Sequence, residues 1–64
     1  MTITATCKQI GKQSTFTREF VRKAMVESWG WDQGKADAHL IMLEMGQSIT
    51  VESPSGTLIL ESVN

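Results

Sequence analysis

A chain of 64 residues with net charge −1 and one cysteine, Cys7, is a single small domain that cannot close an intrachain disulfide. One cysteine and one histidine are too few for a structural zinc site, so neither metal nor cofactor is expected. No stretch approaches the about 20 apolar residues of a membrane span, and the threonine-rich residues 2–9 lack the apolar core of a leader. No membrane association is expected, and a lone reduced thiol suits the cytoplasm.

Residues 2–8 alternate, with Ile3, Ala5 and Cys7 on one face and Thr2, Thr4 and Thr6 on the other. Period two with β-branched residues predicts a half-buried strand. Residues 11–15 read as a polar connector. Thr17 then offers an N-cap, with Phe16 before it placed to staple against Val21. The first helix is expected to run to about Trp29, where Gly30 supplies a left-handed cap. Its apolar arc is Phe20, Val21, Ala24, Met25 and Trp29, opposite a solvated Glu19, Lys23, Glu27 ladder.

Asp32 caps a second helix after a very short connection, Gly34 weakens its first turn, and Gly46 ends it. Residues 49–52 and 57–61 form a hairpin around Ser53-Pro54-Ser55-Gly56. Pairing Val51 with Leu58 and Ile49 with Leu60 puts four hydrophobes on one face, whereas a one-residue slip sets Ile49 opposite Glu61. The expected fold is α+β in the order β-α-α-β-β. Two helices cover one face of a three-stranded, mainly antiparallel sheet, which Ile3, Ala5, Ile49, Val51, Leu58 and Leu60 line.

The second helix carries two apolar faces. At about 100° per residue, Ala36, Leu40 and Leu43 fall on one side and Ala38, Ile41, Met42 and Met45 on the other. Asp37 with Glu44 and Lys35 with His39 form the seams between them. A domain this short has a marginal core and no covalent staple, so one face is expected to be shared with another chain. Ile41, Met42 and Met45, with Trp29 and Trp31 at the helix junction, are the candidate protein-contact residues, and a symmetric homodimer is the simplest form of sharing.

Charge is unevenly distributed along the chain. Residues 1–23 carry a balance of +4 and residues 24–64 a balance of −5. Lys8, Lys12, Arg18 and Arg22 form a candidate basic patch for a phosphate backbone or an acidic protein surface. Arg18 lies in the first turn of its helix, where a cation opposes the helix dipole.

Catalytic chemistry is not indicated. His39 has no acid at helical spacing to orient it, Cys7 shares a face with core residues, and no glycine-rich phosphate loop occurs. The expected function is non-catalytic binding of another macromolecule, foremost a protein, as an inhibitor, adaptor or accessory regulator of the kind mobile elements carry. The alternative is a small DNA-binding regulator, because two helices and a hairpin share the format, though no sequence motif, of a winged helix-turn-helix. Gln33, Lys35 and His39 would then face the groove. Asp32, Asp37 and Glu52 oppose that reading, as do the apolar Ile41, Met42 and Met45.

Overall fold

The computed structural model describes residues 1–54 and 56–63. Four strands, β1 (Thr2–Cys7), β2 (Gln13–Thr17), β3 (Ile49–Ser53) and β4 (Gly56–Val63), form one antiparallel sheet in the order β2-β1-β4-β3. Two helices, α1 (Arg18–Lys23) and α2 (Gln33–Glu44), lie between the two hairpins in sequence and cover one face. The α+β class and the covered face therefore stand, but the sheet has four strands rather than three and the order is β-β-α-α-β-β. The polar residues 13–17 are a strand, not a connector. Only Phe16 in that segment is strongly apolar, because β2 lies at the sheet edge and needs little burial to pair with β1.

The β1–β2 hairpin closes through Cys7 N–H donating to the Lys12 carbonyl at 2.8 Å and Gly11 N–H to the Cys7 carbonyl at 2.7 Å. Gly11 takes a left-handed φ of 69° there, which an L side chain would resist. β1 also pairs with β4, setting Ala5 against Leu60 and Cys7 against Leu58. In the second hairpin Ile49 opposes Leu60 and Val51 opposes Leu58, the register that gathers all four hydrophobes on one side. Of its turn residues, Ser55 lies outside the described residues.

Thr17 ends β2 and caps α1, its hydroxyl accepting from Phe20 N–H at 3.1 Å. Phe16 stacks on Phe20, with ring centroids 5.0 Å apart, and packs against the core that Val21 joins. Residues Ala24–Ser28 continue α1 as a π-helical turn that ends with Trp29 N–H on the Ala24 carbonyl at 3.0 Å. The wider turn keeps Val21, Met25 and Trp29, each four residues apart, on the sheet side. Asp32 caps α2, accepting from Lys35 N–H at 2.9 Å. The helix closes with Gly46 N–H on the Leu43 carbonyl and Gln47 N–H on the Met42 carbonyl, a Schellman ending.

α1 packs over β1 and β2, and α2 over β3 and β4. Ile3, Met25, Leu40, Leu43 and Leu60 are fully buried at the centre, with Ala5, Val21, Ala36, Ile49 and Val51 around them. Leu58, expected in the covered layer, is only half-buried. On the open face Thr4 is buried between Thr15 and Glu61 on the neighbouring strands.

Candidate functional surfaces

The two faces of α2 have different fates. Ala36, Leu40 and Leu43 have no solvent exposure, whereas Ile41 and Met45 are 52% and 71% exposed. Gly34 and Ala38 are exposed on the same outward side. Gly34, Ala38, Ile41 and Met45 follow each other at intervals of four, three and four, the spacing of a coiled-coil seam. Met42 stands apart from them, half-buried against the core.

The junction residues Trp29 and Trp31 are also half-buried against the core. Their rings meet edge-on at 5.5 Å, and Trp31 lies 4.7 Å from the His39 ring. The Lys35 ammonium sits 4.3 Å over Trp31, a cation–π contact that holds its stem along the helix. His39 Nδ1 is 2.8 Å from the Lys35 carbonyl, so a carbonyl, not an acid, faces that ring. Of the five candidate protein-contact residues, Ile41 and Met45 are presented outward, while Trp29, Trp31 and Met42 mostly complete the fold.

The four basic candidates fall into two separated pairs. Arg18 Nε donates to Glu44 at 2.8 Å, and Arg22 Nε donates to Asp37 at 2.7 Å. Two arginines four apart on α1 thus meet two acids seven apart on α2, forming a ladder between the helices. Partnering with Glu44 offsets the dipole conflict of Arg18. Arg22 holds the Asp37 carboxyl below its ordinary range by hydrogen bond and charge, and the same hydrogen bond raises the guanidinium. Lys8 and Lys12 are exposed in the β1–β2 turn, at the other end of β2, about 20 Å along the strand from Arg18.

One apolar feature escaped sequence reasoning. A cleft of about 140 Å³ opens between the sheet and α1, floored by Ala5, Leu58 and Leu60 and walled by Phe16, Phe20 and Trp29. It runs on over Ser14 and Cys7 toward Ile10 and Lys12. The free thiol of Cys7 is partly exposed beside it, so the expected core position is reached only in part. The alternation of Ser14 and Phe16 against Gln13, Thr15 and Thr17 was the available signal, and its low hydrophobicity hid it.

Among the described residues, no group of three or more His, Cys, Asp or Glu side chains converges as a metal site would require. Among the same residues, no helix is long and apolar enough to cross a membrane. No protein-family model, curated protein or solved structure matches the chain.

Proposed function

We propose that this chain is a non-catalytic protein-binding module whose contact surface is the outward stripe of α2, and that its occupant is an apolar-faced helix of a partner protein. One observation carries this reading. The core takes Ala36, Leu40 and Leu43 from α2, which leaves Gly34, Ala38, Ile41 and Met45 in solvent at seam spacing. Small residues in the first half of the stripe allow a close helix approach, and flexible, polarizable Met45 adapts to the partner in the second half. Inhibitor, adaptor and accessory regulator are all roles that such a contact serves.

Nucleic acid is the less suited partner. Arg18 and Arg22 are spent on Glu44 and Asp37, Lys35 lies over Trp31, and the outward face of α2 offers no cation. The α2 stripe is about 18 Å long, too short by itself for the about 800 Å² per partner of a standard stable interface. A partner must therefore add contacts beyond the seam.

A photo-crosslinking residue at position 45, in the native host, tests the proposal. Adducts should form with a partner protein and should vanish when Ile41→Glu is added, while a crosslinker at the exposed Glu19 should not give them. Binding to duplex DNA that weakens steeply with salt, and is unaffected by Ile41→Glu, would refute it.

A further inference from the structure

We infer that the outer edge of β2 pairs antiparallel with the same edge of a second copy of this chain, joining two four-stranded sheets into one. The hydrogen-bond phase of the first hairpin points to this edge. Cys7 N–H donates to the Lys12 carbonyl, so Lys12 and the residues in its phase, Ser14 and Phe16, spend their backbone groups on β1. The N–H and C=O of Gln13 and Thr15, and the N–H of Thr17, therefore point outward. β2 has none of the usual protections of an edge. It holds no proline and no charged residue, and its pairing with β1 runs without a bulge. The opposite edge, β3, carries Glu52 and runs into Pro54.

The side chains select a second copy as the occupant. Place a two-fold axis at Thr15, so that Thr15 faces Thr15 of the second copy. That register is a hydrogen-bonded pair, the kind the outward phase of Thr15 requires. On the helix side it sets Ser14 opposite Phe16 of the second copy, twice by symmetry. Small then meets large, over the groove of about 220 Å³ that Ser14, Ile10 and Leu58 help to line.

The same operation brings the Ile10 end of one copy beside the Phe20 end of the other. Ile10 is 71% exposed, and Phe20, though stacked on Phe16, is 55% exposed. At the rim Lys12 of one copy comes opposite Arg18 of the other, whose charge is already met by Glu44 of its own chain and which Glu19 follows. A single symmetry element thus accounts for the unpaired edge, the groove and two solvent-exposed hydrophobes. α2 packs over β3 and β4, the far half of the sheet, and takes no part in this contact.

Sedimentation equilibrium on the whole chain at submillimolar concentration tests the inference, with circular dichroism to check folding. Wild type should be dimeric. Thr15→Pro removes an outward N–H that β1 does not use, so the fold should survive while two intersubunit bonds are lost, weakening association about thirtyfold. Thr15→Lys, on the exposed open face, should weaken it about fivefold by opposing like charges at the axis. An equal mixture of Thr15→Lys and Thr15→Glu should restore dimers as the mixed species. A wild type that stays monomeric overturns the inference. So does a dimer that survives both Thr15→Pro and Thr15→Lys, and one that Ile41→Glu dissolves instead belongs to α2.

Discussion

Replacing Leu40 and Ile41 separately with alanine places two neighbouring residues of α2 in opposition. Leu40 has no solvent exposure and is surrounded by core side chains, so Leu40→Ala loses its transfer free energy and leaves a cavity, about 2–5 kcal/mol in all. A 64-residue chain has about 3–9 kcal/mol of stability to lose, so this one change removes much of it or unfolds the protein. Ile41 is 52% exposed, and losing its half-buried side chain costs about 1 kcal/mol, partly offset by the better helix propensity of alanine. The net cost of Ile41→Ala is under about 1 kcal/mol, a midpoint drop of less than about 8 °C, while Leu40→Ala should fall further than about 10 °C. Thermal and urea melts followed by circular dichroism, at concentrations low enough to keep the chain monomeric, read both. Equal destabilisation by the two variants would mean that α2 is sandwiched inside the fold, and the outward stripe would lose its claim to be a contact surface.

Three further outcomes follow from the local geometry. Gly30 has a φ of 73°, so Gly30→Ala should cost about 1–2 kcal/mol although nothing crowds the position, read as a lowered urea midpoint. Asp32→Ala deletes the acceptor for Lys35 N–H and should cost about 1 kcal/mol, with the loss of signal concentrated in the amides of the first turn of α2 by hydrogen exchange. Asp37 has a folded-state pKa below its unfolded value because Arg22 binds the ionised form, so its contribution is present above the ordinary carboxylate range and lost as pH falls through the lowered value. Asp37→Asn should flatten that part of an acid melt, and an unchanged profile would show that the ladder does not form in solution.

What was legible in the sequence is what short-range physics decides alone. Thr17 and Asp32 read as caps because each sits just before a helical period and has an oxygen to offer, and both accept the expected N–H bonds. The β3–β4 register was legible because only one pairing keeps Ile49, Val51, Leu58 and Leu60 together. β2 was not, since only Phe16 in it is strongly apolar and its stabilising bonds come from backbone atoms that composition does not reveal. The arginine ladder was hidden for another reason. Arg18 and Arg22 share one helix face, Asp37 and Glu44 share another, and only the packing of α1 against α2 brings the faces together. The bifacial pattern of α2 was visible, and Ile41 and Met45 lie on the face expected outward, but that Met42 turns back onto the core depends on the layer beneath the helix.

The two proposed contacts occupy opposite flanks of the fold, and that separation has a physical consequence. α1 covers β1 and β2 and α2 covers β3 and β4, so an edge pairing at β2 leaves α2 at the outer end of each half. A dimer built this way would present two outward stripes on one rigid sheet, spaced by the strands between them rather than by a flexible linker. Each stripe alone is short and binds weakly, but a partner offering two helices at the matching span would gain from effective concentration without any new contact. A marginal core and a half-length interface are then joined through the unpaired edge: β2 pairing stabilises the small sheet and doubles the weak surface in one step. The same 64 residues have no disulfide to serve either purpose, which is why the edge that composition made hardest to read is the one on which the assembly would depend.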